Sequence, residues 1–223
     1  MNKLLLTLCL ALLTTFSFAQ TFNIGIKAGV NLSTISFSNS SPNYAIDAQN
    51  KTGFQAGVVA DVGFQNFSIQ PGLFFITKGE KFDNQLSITA NGQDYNYHGT
   101  GSEKFNYLEL PVNLLYKMQV SPVAKIYVGG GPYLGYGLSG TSTVHTTGSE
   151  TTDYTGGIKF GNNQAKDDYK PVDYGVNFIG GVELQKHFTI DLNYSLGLKN
   201  INWTAGSDLK NRSVGLSVGY LFR

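Results

Sequence analysis

"TFNIGIKAGVNLSTISFS", residues 21–38, begins with a run in which two kinds of side chain alternate. The even positions of this run are all apolar, and they are Phe22, Ile24, Ile26, Ala28, Val30 and Leu32. The odd positions between them carry Asn, Gly, Lys and Ser. Because successive side chains of a β-strand point to opposite faces, the pattern predicts a strand with one apolar and one polar face. The fold then depends on which face meets water.

The same pattern returns seven more times along the chain, and the apolar faces carry no charged residue. The seven further predicted strands cover residues 54–64, 67–75, 108–116, 126–138, 174–184, 188–198 and 214–222. Short connections (65–66, 119–123 and 185–187) alternate with long ones (38–53, 83–104, 139–172 and 199–212). Short turns at one end and long loops at the other are typical of outer-membrane barrels. An even number of strands predicts that both ends of the domain lie at the short-turn end.

Residues 1–19 have the features of a secretory signal peptide, with Lys3, an apolar run over 4–13 and the small-residue site Ser17–Ala19. We expect cleavage after Ala19, which leaves one domain over 20–223. The chain's single cysteine, Cys9, would be removed, so disulfides do not build the exported domain. Without Lys3, 15 of the 16 basic residues remain against 15 acidic ones. This balance argues against nucleic acid as a partner.

Two classes of barrel alternate in this way. A soluble, lipocalin-like periplasmic barrel would line a cavity with its apolar face and cover its outer face with charge. Here the polar face is mostly Gly, Asn and Ser, which suits a cramped interior, and aromatic residues gather near both ends of the apolar face. We therefore predict an all-β, closed, eight-stranded antiparallel up-and-down transmembrane β-barrel. Its apolar face would contact outer-membrane lipid, and the lipocalin-like barrel is the alternative.

Four segments carry a family resemblance: "NIGIKAGVNLS", "YLELPVNLLYKM", "VGGGPYLGYGLSG" and "GLSVGYLF". They resemble the PorT-like outer-membrane β-barrel family of Bacteroidetes over nearly the whole mature chain. The resemblance implies an eight-stranded outer-membrane barrel, and one branch of the family takes part in type IX protein secretion. The closing "VGLSVGYLFR" also resembles the signal that the barrel-assembly machinery reads, although Arg223 follows the last aromatic residue.

The polar faces carry a set of charged residues that we expect to form a polar network in the lumen: Lys27, Asp61, Lys78, Glu109, Asp173, Glu183, Asp191 and Lys199. The interior of an eight-stranded barrel is just wide enough for its own side chains. These charges should therefore pair and plug it, with Glu109 among the lysines, because an unpaired buried carboxylate is costly. A narrow ion channel is the alternative.

The histidines give no sign of catalysis or of a metal site. His98 and His145 fall in long loops and His187 in a short turn, with no strand-borne serine placed beside them. A deacylase-type enzyme would need such a pair, so we predict no enzyme. The histidine spacing fits no zinc motif, so we predict no metal and no cofactor.

The long loops are where specificity is expected. "LSITANGQDYNYH", residues 86–98, predicts a hairpin around Asn91–Gly92 that extends strands three and four, and residues 139–160 are expected to extend strand five. Tyr95, Tyr97, His98 and Tyr154 are candidate contacts for a protein partner. The expected function is therefore structural, or docking through the loops, with an accessory role in a secretion apparatus as an alternative.

Overall fold

The computed structural model describes residues 20–39, 47–90, 93–147, 151–203 and 207–222, and these ranges contain nine strands. They are β1 (Gln20–Asn39), β2 (Asp47–Phe64), β3 (Phe67–Ala90), β4 (Gln93–Ser121), β5 (Ala124–Thr147), β6 (Thr152–Ile158), β7 (Val172–Leu184), β8 (Phe188–Gly197) and β9 (Ser207–Phe222). The predicted signal peptide lies outside the described residues. Within the described ranges, no helix is long and apolar enough to cross a membrane.

Eight of these strands form a closed antiparallel ring. Each strand from β1 to β5 pairs with the next, β5 then pairs with β7, and β7, β8 and β9 follow in order. The ring closes where β9 pairs with β1, from Ile24 opposite Phe222 to Asn39 opposite Ser207. The predicted eight-stranded up-and-down barrel is confirmed, and β1 begins and β9 ends at the short-turn end.

The ninth strand, β6, was not predicted. It pairs with residues 140–146 of β5, beyond the point where β5 leaves β7. Its sequence, "TDYTGGI", lacks the apolar alternation that marked the other strands. The two predicted extensions are confirmed, because Ala90 of β3 pairs with Gln93 of β4 and β5 continues to Thr147. The turn at Asn91–Gly92 itself lies outside the described residues.

The apolar face of the ring points outward. Phe22 and Ile24 are 64% and 52% exposed, whereas their neighbour Asn23 is only 5% exposed. The lipocalin-like alternative is therefore wrong, since it required the apolar face inside. We call the outward apolar residues of the ring the apolar belt; on the strands its limits are 22–32, 54–64, 67–75, 108–120, 126–138, 172–184, 188–198 and 214–222.

Not all of the interior is polar, which the alternation did not reveal. At the long-loop end, a group that we call the aromatic cap fills the mouth of the ring, and it consists of Ile35, Ile76, Phe105, Tyr107, Ile158, Phe160, Tyr169, Ile201 and Leu209. A smaller apolar cluster joins Leu115, Tyr127 and Ile179 nearer the short-turn end. Polar and charged side chains occupy much of the rest of the interior.

Candidate functional site

The first interior charge cluster centres on Lys78, whose side chain is only 1% exposed. Its ammonium Nζ lies 2.5 Å from Glu109 Oε2 and 3.6 Å from Asp173 Oδ2. It also lies 4.6 Å from the centre of the Tyr133 ring, and the Tyr133 hydroxyl donates to Asp173 at 3.3 Å. Asn211 Nδ2 donates to the same carboxylate at 3.0 Å. One buried cation thus serves two carboxylates.

The second interior cluster lies nearer the short-turn end. Lys27 Nζ lies 2.9 Å from Asp191 Oδ2, which also accepts a hydrogen bond of 3.0 Å from the Tyr127 hydroxyl. Lys27 donates in addition to Gln70 Oε1 at 3.1 Å, and Gln70 Nε2 donates to Asp61 at 2.9 Å. The amide of Gln70 therefore links Asp61 to the Lys27–Asp191 ion pair, with one hydrogen bond on each side.

Lys117 completes this second cluster, and sequence reasoning missed it. Its Nζ lies 2.8 Å from Asp61 Oδ2 and 3.1 Å from Glu183 Oε2. The predicted strand ended at Tyr116, whereas β4 continues to Ser121, so the inward position after Tyr116 was not counted. The rule that inward and outward positions alternate would have found it if the strand had been extended.

A small cavity of about 40 Å³ separates the two clusters. Its lining mixes apolar side chains and charged residues of both clusters with amides and a hydroxyl, which include Gln55, Asn113, Asn177, Asn193 and Ser217. Gln55 Nε2 bridges Asn193 Oδ1 at 3.0 Å and Ser217 Oγ at 2.6 Å. A water molecule needs about 10–15 Å³ of such volume, so the cavity has room for only about three waters.

Seven of the eight predicted lumen residues lie in this interior, each at most 5% exposed: Lys27, Asp61, Lys78, Glu109, Asp173, Glu183 and Asp191. The prediction for Lys199 is corrected, because this residue lies after the end of β8. β8 ends at Gly197, and the backbone N–H groups of Leu198 and Lys199 both donate to the Tyr174 carbonyl, which turns the chain out of the strand. The Lys199 ammonium lies 5.9 Å from the ring of Tyr174, a belt residue.

The candidate loop contacts lie along an extended wall at the long-loop end. Tyr154 in β6 is 59% exposed. His98 Nε2 lies 2.7 Å from Asp83 Oδ1, and His145 Nδ1 pairs with Asp153. Tyr95 and Tyr97 belong to β4, and their side chains lie outside the described part of the structure.

A recess of about 330 Å³ opens on this wall, between β6 and the connection from β6 to β7, and we call it the rim recess. Its lining is formed by Glu103, Ser142, Tyr154, Gly156, Gly157, Ile158, Asp168, Tyr169 and Asn202. The described residues that line it include two carboxylates and no basic side chain. Of the predicted contacts it includes only Tyr154, because β6 and the fold of the connection gave no sequence signal.

Two glutamates face each other behind the rim recess. Glu80 of β3 lies directly opposite Glu103 of β4, beyond the apolar belt. Burial raises the pKa of Glu80 to about 7, and the negative charge of Glu103 contributes to the rise. Burial also raises the pKa of Glu103, although its Oε2 accepts a hydrogen bond of 2.7 Å from the Tyr169 hydroxyl. The pair therefore takes up a proton near neutral pH.

The described residues contain no group of three or more His, Cys, Asp or Glu side chains placed to hold a metal ion. The third histidine, His187, lies at the short-turn end, where its Nδ1 is 2.9 Å from the Leu221 carbonyl oxygen.

A closed ring with an apolar outer face and a charged, filled interior defines a small transmembrane barrel. Residues 18–202 match the family model described as "Outer membrane protein beta-barrel domain". The chain belongs to this family, and it is an outer-membrane protein.

Solved structures of other outer-membrane proteins are similar to this chain at low identity. Ail of Yersinia pestis is 12% identical over 90% of this chain and 98% of its own, with a TM-score of 0.40. OprG of Pseudomonas aeruginosa is 13% identical over 92% and 97%, with a TM-score of 0.42. Neisserial surface protein A is 13% identical over 92% and 99%, with a TM-score of 0.37. No curated protein matches the sequence.

Proposed function

We propose that this chain is a non-enzymatic barrel with a plugged lumen, and that it docks a protein partner at its long-loop end, outside the cell. The observation that carries the proposal is the contrast between the filled interior and the open rim at the long-loop end. The interior holds a cavity of about 40 Å³ below the aromatic cap, whereas the rim recess of about 330 Å³ opens outward. Space for a partner is therefore available at the rim.

The orientation follows the habit of outer-membrane barrels, whose short turns face the periplasm and whose longer loops face the outside. In this chain the wall of β3, β4, β5 and β6 extends beyond the apolar belt at the long-loop end. Protease added to intact cells should cut this wall and leave the short turns intact.

The plugged lumen argues against the narrow channel. Phe105 and Tyr107 of the aromatic cap are fully buried, and below them Lys78 is held by two carboxylates. An ion crossing the ring would have to displace both layers. We expect no conductance in planar bilayers, and a conductance that changes in the Glu109→Gln variant would support a channel instead.

The histidine–aspartate pairs at the rim support a non-enzymatic role. A catalytic triad needs a nucleophile hydrogen-bonded to the base as well as an acid that orients it. His98 and His145 each have the aspartate, but among the described residues neither ring bonds to a serine or threonine hydroxyl. We therefore expect the wild type to show no hydrolytic activity toward lipid A, and we expect the same of variants in which either histidine is replaced.

The lining of the rim recess indicates what kind of partner fits. Glu103 and Asp168 supply negative charge, and Tyr154 supplies an exposed ring. A lysine or arginine side chain of a protein partner would gain from both, through charge-assisted hydrogen bonds and a cation–π contact.

Photo-crosslinking on intact cells tests the docking. A photoreactive residue at Tyr154 should give one discrete adduct, and the same residue at Val123, in a short turn, should give none of that mass. The Asp168→Asn change should weaken the adduct. If the photoreactive residue at Tyr154 gives no adduct above background, the proposal is overturned. The alternative role, as an accessory part of a secretion apparatus, predicts that the adduct contains a component of that apparatus.

We also infer that the barrel-assembly machinery inserts the chain by reading β9. The outward ring of Phe222 is 51% exposed and packs against Tyr220, at the end of β9. Phe222→Ala should lower the inserted fraction in cells, and an unchanged fraction would contradict this inference.

A further inference from the structure

Two lysines on the outer face of the wall, and a third in the neighbouring strand β2, lie just beyond the apolar belt. On β3 and β4 the last outward apolar pair is Phe75 opposite Leu108. Lys104 lies four residues farther along β4, opposite Gly79, and Lys81 follows on the same face of β3. Lys51 lies next to them in β2, where the register with β3 shifts between Asn50 and Gln55.

These lysines have no anionic partner among the described residues. Glu80 and Glu103 alternate with them on the same strands and therefore point to the inner face. Asp83, the next outward acid on β3, is already paired with His98. Among the described residues, the outward Lys81 and Lys104 therefore have no ion-pair partner.

The three ammonium groups also act on one another. Burial lowers the pKa of Lys51, and the charges of Lys81 and Lys104 lower it further. Like charges that repel in this way gain from an anion placed between them. Gly79, opposite Lys104, has no side chain to fill the space, and a Cβ there would overlap the Glu103 carbonyl.

The height of the cluster above the belt fits a membrane headgroup. Four residues of a strand span about 13 Å, and at a tilt of about 40° this amounts to about 10 Å along the membrane normal. The headgroup layer extends about 5–8 Å beyond the hydrocarbon on each side. Lysine side chains are long enough to reach down into that layer while their stems lie along the wall.

We propose that Lys51, Lys81 and Lys104 form a binding site for the phosphate groups of an anionic lipid in the outer leaflet, of the phosphorylated lipid A class. The site is continuous with the lipid-contacting belt, and a lipid already lying against β2, β3 and β4 would bring its phosphates to this height. The assignment to the outer leaflet rests on the orientation proposed above, whereas phosphate binding at this site does not.

The test uses the mature chain folded in phosphatidylcholine nanodiscs. The heat-modifiability midpoint, at which the compact form on a detergent gel is lost, is measured with added lipid A, with dephosphorylated lipid A and with inorganic phosphate. The patch variant is K51Q/K81Q/K104Q. The control variant K159Q/K166Q/K186Q removes the same charge from exposed loop and turn positions.

Lipid A should raise the midpoint of the wild type and of the control variant, and the rise in the patch variant should be less than half as large. Dephosphorylated lipid A should give little rise, and inorganic phosphate alone should not replace lipid A. Equal rises in both variants, or an equal effect of dephosphorylated lipid A, would overturn the proposal. Because nanodiscs present both faces, protease cleavage of intact cells reports separately on the orientation and on the proposed function.

Discussion

Lys78 and Glu109 form an ion pair of 2.5 Å in the middle of the barrel, and the second carboxylate of that cluster, Asp173, is fully buried. Counted over both interior clusters, the cations Lys27, Lys78 and Lys117 face the five carboxylates Asp61, Glu109, Asp173, Glu183 and Asp191. Lys78 and Lys117 each serve two carboxylates and Lys27 serves one, so the loss of either shared cation should cost far more than the loss of a carboxylate.

Lys78→Met should destabilise the barrel strongly, because it leaves Glu109 and Asp173 buried without a cation. The expected loss in unfolding free energy is about 3–5 kcal/mol. Glu109→Gln keeps a hydrogen-bond acceptor for Lys78 and leaves it paired with Asp173, so the expected loss is only about 1–2 kcal/mol. Urea unfolding in lipid vesicles measures both. Equal losses for the two variants would show that the shared cation does not hold the cluster.

Gly131→Ala should destabilise the ring where β4 and β5 approach each other. A Cβ at Gly131 would overlap the Val112 carbonyl, and the expected cost of such overpacking is about 1–3 kcal/mol. Gly157→Ala in β6 is the matched control, since a Cβ there meets no atom within 4 Å among the described residues. The heat-modifiability midpoints of the two variants are compared. If the midpoint of Gly157→Ala falls as far as that of Gly131→Ala, the overlap with the Val112 carbonyl does not explain the loss.

Phe105→Ala should loosen the aromatic cap. Phe105 is fully buried and its ring contacts those of Tyr107, Phe160 and Tyr169 at centroid distances of 5.1–6.5 Å. Removing a buried phenylalanine costs about 3–5 kcal/mol. Limited proteolysis should then cut within residues 159–171, which carry Phe160 and Tyr169. Tyr154→Ala, an exposed aromatic change on the same wall, should leave the cleavage rate nearly unchanged, and cutting at the same rate in both variants would argue against the cap.

The pair of Glu80 and Glu103 should make the wall sensitive to pH. The pKa of Glu80 is raised in the folded chain, to about 7 from an ordinary 4.5. A raised pKa means that the stabilisation is fully present below about pH 4.5 and is lost as the pH rises through about 7. The hydrogen-exchange protection of β3 and β4 beyond the belt, taken relative to the intrinsic exchange rate at each pH, should therefore fall between pH 5 and pH 8. Glu80→Gln should flatten this dependence, and an unchanged slope in that variant would assign it to other groups.

The ring and its lipid-facing side were predictable because both depend on alternation, which the sequence shows directly. Phe22 to Leu32 face outward and Asn23 to Ser33 face inward, as a two-residue period requires. Register and strand length depend on pairing partners instead. Lys117 was missed because the strand was predicted to end at Tyr116, although outward Met118 and Val120 continue the apolar pattern in β4. Lys199 was misplaced because hydrogen bonds to the Tyr174 carbonyl turn the chain after β8.

The rim was harder to predict, because tertiary contacts rather than periodicity build it. β6 has no alternating pattern of its own and is held as a strand by its pairing with β5. Tyr169 reaches Glu103 from a connection without regular structure, over a sequence separation that no local pattern encodes. The rim recess therefore appears only when the chain is folded.

The pairing of Ile24 with Phe222 has a consequence for biogenesis. Among the described ring strands, every other pairing joins neighbours along the chain or passes over β6, so these contacts form locally while the first and last strands remain apart. Closure is the contact of longest sequence separation, which is the slowest kind to form. Until the ribosome has released the last strand, the sheet keeps two open edges, and open edges are not tolerated in hydrocarbon. The barrel can therefore close in the membrane only after β9 has been synthesised.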